Sequence, residues 1–465
     1  MTVPYWIQDA IFYQIFPDRF ANGNPANDPP NVQPWGSPPT IWDFQGGDLR
    51  GILHHLDYLL DLGITAIYLN PIFESASNHR YNTRDYYRID PKLGTMEDFR
   101  ALLDAAHRNG MRIILDGVFN HCGRGFFAFD DILENGEHSP YKNWFHIKRF
   151  PPNAYGEGQA EDYEAWWQFK SLPKFNTDNP DTRRYLLDVA RYWIEIGADG
   201  WRLDVPNEID DDSFWAEFRH IVKSVNPDAY LLGEIWTPDP RWADENHFDG
   251  LMNYPLREEL LRLLQAETLD TVQFAEKIET LLALYPRENV HAMYLPLGTH
   301  DTERLWTKLG GNAEKVKLAF QIQMSLPGAP AIYYGDEIGM EGGKDPDCRR
   351  AFPWNPEAWK ADLRPWVQTL IALRKKHLAL RRGDYTRLLA ENGERGIYAF
   401  ARTFGTQTLL VAVNASPSTQ TLRIPISEQN APRVSLINAR RYQIQNGYLE
   451  LALPPWSGDW IGETP

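Results

Sequence analysis

The chain has 465 residues, 43% hydrophobic and 24% charged, with a formal net charge of -16. That is a soluble globular composition, and its acidic, interspersed charge lacks the basic stripe that nucleic acid requires. No apolar run reaches the roughly 18 residues of a membrane span, and the N-terminus carries no leader pattern. Cys122 and Cys348 lie far apart, so a disulfide framework is not expected and a cytoplasmic location is.

Apolar strand-like runs fall at 10–17, 64–71, 111–118 and 198–205, then at 229–236, 248–254, 292–301 and 329–335. Helical patterns lie between them, such as 96–110 and 180–197. The second starts at Asn179–Pro180 and stops at Gly197. Eight strands alternating with helices predict an α/β fold, a (β/α)8 barrel over 1–120 and 176–380. Residues 121–175 break the pattern with Gly, Pro and aromatics, which predicts a small inserted domain after strand 3. A long helix is expected at about 357–379. Short alternating runs follow, at 396–404, 408–416, 421–426 and 448–454, and predict a C-terminal antiparallel β-sandwich over 381–465.

Barrels of this type place their chemistry at the C-terminal rim. Strand 3 ends in Asp116, with Asn120 and His121 just beyond. Strand 4 ends in Arg202 and Asp204, strand 5 in Glu234, and strand 7 in His300 and Asp301. Any one of these fits a structural ion pair. Carboxylates from four strand ends at one rim fit glycoside hydrolysis, which needs one ionised and one protonated carboxyl group. Arg202 shares a strand face with Asp204, so Asp204 is expected to be the ionised nucleophile. Glu234, flanked by Ile235 and Trp236, suits the general acid/base. Asp301 with His300 would hold sugar hydroxyls. A retaining mechanism puts the two carboxyl groups roughly 5–5.5 Å apart.

"DGVFNH" (116–121), "GWRLDVPNE" (200–208), "EIW" (234–236) and "GTHD" (298–301) resemble, in order, the four signature regions of the α-amylase family, glycoside hydrolase family 13. "LPKFN" (172–176) and "GAPAIYYGDE" (328–337) agree. The resemblance implies Asp204 as nucleophile, Glu234 as acid/base and Asp301 as third carboxylate. Asp116, Arg202, His121 and His300 would support the central sugar. "NHRYNTRDY" (78–86) resembles the segment that supplies a stacking Tyr, here Tyr81, with His79 beside it. Within the family, "LPKFN", "VPNE" and 126–147 are similar to the cyclomaltodextrinase, neopullulanase and maltogenic amylase group. That group usually carries "MPKFN" and "VANE", so Leu172 and Pro206 depart from it. By the same resemblance Glu208 and Trp236 line the leaving-group side, and Asp345 and Arg349 the opposite side. A surface ion pair is the plainer account of Asp345 and Arg349.

Enzymes of that group usually carry a β-rich domain before the barrel, whereas here the barrel begins almost at Met1. A monomer, or a homodimer formed by another route, is therefore expected, with a cleft open to longer chains. The implied substrates are cyclodextrins and maltooligosaccharides, extending to pullulan or starch, with transglycosylation as a side reaction. An exo-acting α-glucosidase or glucanotransferase, or a non-catalytic glucan-binding protein, are the competing readings.

Asn22, Asn24, Asn27 and Asp28, with the Gly46 carbonyl and Asp48, supply closely spaced oxygens of the kind calcium takes. A turn-rich polar loop has the same composition. Some members of the resembling group hold calcium at a matching loop, which implies one structural calcium ion. No zinc motif and no nucleotide loop is present.

Overall fold

A computed structural model describes residues 3–265, 270–391, 396–426 and 433–463. Eight parallel strands form the central sheet: β1 (Phe12–Ile15), β2 (Ala66–Leu69), β3 (Arg112–Gly117), β4 (Gly200–Leu203), β5 (Tyr230–Gly233), β6 (Gly250–Leu251), β7 (Tyr294–Pro296) and β8 (Ala329–Tyr333). They run in the order β6-β5-β4-β3-β2-β1-β8-β7. A parallel bridge between Met252 and Tyr294 joins the two ends and closes the barrel. All eight expected strands are present and shorter than the apolar runs. Strand pairing stops where side chains turn to other tasks. Val205, for example, leaves the strand at φ 36°.

The period of two along each strand sorts residues into two cores. Ile11, Tyr13, Ile15, Ile67, Leu69, Ile113, Leu115, Trp201 and Leu203 pack outward in one cluster. Phe12, Ala66, Tyr68, Ile114, Leu232, Tyr294 and Ala331 fill the barrel's interior. One step further along the inward face come Gln14, Asn70, Asp116 and Glu234, with Arg202 and Asp204 from β4. The apolar interior thus ends in a polar layer at the C-terminal mouth, and all six of these side chains are buried.

The helices follow their local signals. Asn179 accepts from the amides of Asp181 and Thr182, Pro180 sits at the first turn, and Gly197 closes Pro180–Ile196. Thr95 and Asp98 form a reciprocal capping box at Met96–Arg108. Two expectations need correction. Segment 121–175 was read as having little helical period, yet Phe127–Asn135 is a helix with Ala128, Phe129 and Ile132 buried. The expected helix at 357–379 is two helices, Leu363–Lys376 and Leu378–Arg382, separated by an extended His377. Between Phe352 and Leu363 only the short turn Pro356–Ala358 forms.

Two antiparallel sheets make up the C-terminal part. The four expected strands appear as Ile397–Phe404, Gln407–Asn414, Gln420–Pro425 and Tyr448–Leu453. Asp384–Glu391 and Ser457–Glu463 were not anticipated. The first has no buried face to impose alternation. Buried Arg402 donates to the carbonyls of Ser325 and Gly383, tying this part to the barrel. No helix among the described residues is long and apolar enough to cross a membrane. Cys122 and Cys348 are free and buried.

Candidate active site

Register places the charges. Asp116 on β3 is paired directly with Arg202 on β4, so both side chains enter the barrel mouth side by side. Asp204 follows Arg202 by two residues on the same face, and its amide donates to the Gly117 carbonyl. The Glu234 amide donates to the Leu203 carbonyl, which sets Glu234 beside Asp204.

Arg202 is fully buried and serves three carboxylates. Its Nη1 donates to Asp116 Oδ1 at 2.9 Å and to Asp204 Oδ1 at 3.0 Å. Its Nη2 lies 2.7 Å from Glu234 Oε1, as an ion pair without hydrogen-bond alignment. The guanidinium also sits 5.9 Å and 6.0 Å from the ring centroids of Tyr68 and Tyr81. Tyr68 and Tyr81 donate to Asp116 Oδ2 at 2.5 Å and 2.8 Å, so both oxygens of Asp116 are engaged. Asp204 Oδ2, by contrast, is buried with no partner.

Glu234 Oε2 accepts from the Val205 amide at 3.0 Å, and Oε1 from Trp236 Nε1 at 3.3 Å. Val205 is β-branched and held at a left-handed φ, a costly conformation that aims its amide at the acid. Burial is the main cause that pushes Glu234 up to about 7; the Asp301 and Asp116 charges add to it, while Arg202 and the Val205 amide oppose it. Burial also raises Asp204, and the negative charges of Glu234, Asp116 and Asp301 reinforce the rise against Arg202. Arg202 is therefore not the private partner of Asp204 that strand alternation suggested. One cation is divided among three acids. Burial thus shifts both Asp204 and Glu234 toward the protonated form, against the pull of the shared guanidinium.

Asp301 is the more open acid. It lies 3.1 Å from His300 Nε2 and 3.2 Å from Arg349 Nη2. Burial would raise it, but the His300 ring and the guanidiniums of Arg349 and Arg202 outweigh burial and hold it below its ordinary value. Gln14 Nε2 donates to His300 Nδ1 at 2.8 Å, which leaves the ring proton on Nε2. That nitrogen is 2.6 Å from Tyr81 Oη. Burial pushes His300 down to about 3, so the ring is neutral. The rings of Tyr81 and His300 stack at 5.4 Å and 8°. His79 stacks behind Tyr81 at 5.9 Å, and its Nδ1 accepts the Tyr81 amide.

His121 is buried, its Nδ1 accepts from Asn120 Nδ2 at 3.2 Å, and its Nε2 has no partner. Burial drives this ring to about 3 as well, so it is neutral, and with Nδ1 accepting from Asn120 its one proton lies on Nε2. Trp236, 46% exposed, stacks on Tyr254 at 3.7 Å and 6°, a flat platform beside Glu234. Arg349 bonds Asp345 Oδ1 at 3.0 Å and the His300 carbonyl at 2.8 Å. It thus links Asp345 to Asp301 and is more than a surface pair. The Glu208 carbonyl accepts from Lys174 Nζ at 2.6 Å, and the Glu208 carboxylate lies 3.9 Å from the same nitrogen.

Gln14, Tyr68 and Asn70 complete the polar layer and were not picked out from the sequence. Asn70 accepts from Gln14 and donates to Tyr81 at 3.0 Å. The signal was there, since all three sit on the inward face near strand ends, like Asp116.

The six loop residues at the expected cation site also come together, away from the acids. Asn22 donates to both oxygens of Asp28. Asp48 accepts from the amides of Gly23, Asn24 and Gly51. Gly46, at φ 82°, lies so close that a Cβ there would meet Asp28 Oδ1 at 2.4 Å and Asn22 Nδ2 at 2.6 Å. Asn27 Oδ1 is buried without a partner. Among the described residues, no group of three His, Cys, Asp or Glu side chains is placed to hold a metal ion.

Residues 14–382 match the α-amylase catalytic domain, and residues 385–460 match the maltogenic amylase C-terminal domain. A cyclomaltodextrinase of Geobacillus thermopakistaniensis strain MAS1 is 47% identical over 455 residues, 97% of this chain and 76% of the relative. Neopullulanase 2 of Thermoactinomyces vulgaris is 43% identical over 460 residues, covering 98% and 78%. Among solved structures, the cyclic α-maltosyl-(1→6)-maltose hydrolase of Arthrobacter globiformis, in complex with that cyclic sugar, superposes with a TM-score of 0.91. It is 39% identical, over 99% of this chain and all of that one. The chain belongs to the α-amylase family, glycoside hydrolase family 13, and is a glycoside hydrolase of α-glucans.

Proposed function

We propose that the chain cleaves α-1,4-glucosidic bonds of cyclodextrins and maltooligosaccharides with retention, through a covalent glycosyl-enzyme. The observation that carries this is the single buried guanidinium joining Asp116, Asp204 and Glu234, with Asp204 Oδ2 left unbonded. Two acids tethered to one guanidinium fit the roughly 5–5.5 Å of a retaining pair rather than the ~6.5–9.5 Å of an inverting one.

Asp204 Oδ2 attacks the anomeric carbon as the bond to the leaving oxygen breaks. Glu234 gives its proton to that oxygen. The Glu234 carboxylate then takes a proton from water, whose oxygen displaces Asp204 and returns the acid to its starting state. A sugar hydroxyl in place of water gives transglycosylation. Asp301 and His121 hold hydroxyls of the central ring: neutral His121 donates from Nε2 and the carboxylate accepts, while His300, its Nε2 facing Tyr81 Oη, positions Asp301 and Tyr81. Trp236 receives a ring on the leaving-group side, with Glu208 further out. Cyclic and linear substrates are supported by the cyclomaltodextrinase relative and by the cyclic sugar in the Arthrobacter enzyme. Two free buried cysteines fit the reducing cytoplasm.

Chromatography of products from β-cyclodextrin, maltoheptaose, pullulan and starch tests this reading. Ring opening to linear maltooligosaccharides is the expected result. Glucose released stepwise from chain ends, with the ring intact, would transfer the assignment to an exo-acting α-glucosidase.

A pH prediction follows from Glu234. The acid must be protonated to act, so kcat/KM falls as pH rises through about 7, tenfold per unit beyond it. A pH–rate profile checks this; a flat profile to pH 9 would remove Glu234 as the acid.

The loop at Asn22–Gly46 fits one structural calcium, held by Asn22, Asn24, Asn27, Asp28, the Gly46 carbonyl and Asp48. An orphaned buried amide oxygen and a glycine that closes the cradle support it. The ion would staple the loop and take no part in the chemistry. Calcium is expected to raise Tm, by about 2.7 kcal/mol of stabilisation at a hundredfold excess over Kd. EDTA should reverse the gain. Identical melting curves with calcium and with EDTA would reject the site.

A further inference from the structure

The inserted segment carries a second aromatic feature that the four signature regions do not include. Trp166 stacks on His121 at 5.5 Å and 23°, and Trp167 stacks on Trp166 at 4.7 Å and 7°. Three nearly parallel rings therefore step outward from the acid site. The outermost, Trp167, is 72% exposed, a large apolar surface to leave in water. Its backbone has φ 48°, and that of Gln168 has φ 62°. Two consecutive non-glycine residues in the left-handed region are costly, and such strain persists only where surrounding structure holds it. That structure is present. The Trp166 amide donates to Leu172 O, Ala165 bridges Pro173, and the Ala160 amide donates to Gln168 O. Lys174, two residues from Leu172, is itself bridged to His121. The strained turn is thus anchored to the strand end that supplies His121.

Trp166 Nε1 is buried and has no partner. Phe169 (51% exposed) and Tyr155 (60%) continue the aromatic rim on the same segment. Tyr155 is pinned by Arg124, whose guanidinium lies 4.4 Å from the ring centroid. Packing does not require an exposed indole in this conformation: Trp167 is 72% exposed, and glycine, which adopts positive φ freely, would relieve the strain.

We propose that Trp167 is a sugar platform, binding a glucose ring of a longer α-glucan chain beyond the ring held by the acids. The proposal rests on the α-glucan reading above and adds a subsite to it. The flat indole offers its open face to the C–H face of a pyranose. Continuity with His121 sets the platform in line with the catalytic cleft. Short substrates would end before reaching it, and long ones would gain its contact.

Calorimetric titration separates this from the catalytic assignment, because it reads binding alone. In an Asp204→Asn background, maltotriose and maltoheptaose are titrated with and without Trp167→Ala. Maltoheptaose is expected to weaken about five- to tenfold, the size of one aromatic stacking contact. Maltotriose should change less than twofold, and Trp167→Phe should recover most of the loss. Trp167→Gly serves as the control for a structural role, since glycine adopts positive φ freely. It should lose the same affinity with Tm unchanged or raised. Equal weakening of both sugars, no weakening of either, or a fall in Tm with Trp167→Gly would each overturn the platform. Failure of wild-type hydrolysis would instead sink the proposed function and leave this titration interpretable.

Discussion

Asp204→Asn should abolish hydrolysis, lowering kcat by about 10⁴-fold or more while the fold is kept. The expectation rests on a particular atom. Asp204 Oδ1 is spent on Arg202, but Oδ2 is buried with no bond to protein. A buried, unbonded carboxylate oxygen is expensive unless something else uses it. The use proposed is attack on the anomeric carbon of a bound sugar. Asparagine keeps the size and the Arg202 contact and removes the charge that makes the oxygen nucleophilic. Initial rates on maltoheptaose, with near-ultraviolet dichroism as the check on folding, measure the effect. A variant that keeps a tenth of the wild-type rate would show that Asp204 is not the nucleophile.

Arg202→Met should have the largest effect on stability, about 3–5 kcal/mol of destabilisation near neutral pH. Methionine fills much of the volume, so the loss is electrostatic. Asp116 and Glu234 would remain buried around a missing cation, and Asp204 would lose its only donor on Oδ1. Lysine is no substitute, because a point charge cannot address three carboxylates from two nitrogens. The pH dependence has a definite sign. Unpaired buried carboxylates have raised pKa values, so protonation relieves them as pH falls. The gap between wild type and Arg202→Met should therefore narrow toward acid pH. Urea unfolding curves at several pH values would show this. A gap that stays constant, or widens in acid, would mean that the three pairs are not what Arg202 contributes.

The two variants separate functions that this one cluster combines. Asp204 and Glu234 are the pair proposed to face substrate. Arg202 aims both and makes their charge tolerable at the end of an apolar barrel, while the Asp116 charge favours the proton on Glu234. The same density of acids that lets one group hold a proton at pH 7 would unfold the barrel mouth without the guanidinium.

The eight strands, their order and the polar strand ends were legible in the sequence. Periodicity of two assigns a side to each residue, and a charged residue after an apolar run marks where a strand leaves the core. The strand Asp384–Glu391 was not legible, because its exposed surface removes the alternation that burial would impose. The helix at Phe127–Asn135 was hidden by aromatics that pack on one another and blur the helical period.

What the sequence determined by itself is which carboxylates end the barrel strands at its mouth, with Arg202 beside them, since strand alternation is a local rule. Only the tertiary structure decided how they share charge. The pairing of Asp116 with Arg202 depends on the register between β3 and β4, and the division of one guanidinium among three acids depends on barrel closure. The Trp167 stack likewise depends on a turn folded back against His121. Electrostatics and stacking act through space between residues distant in the chain, so neither is written in spacing along it.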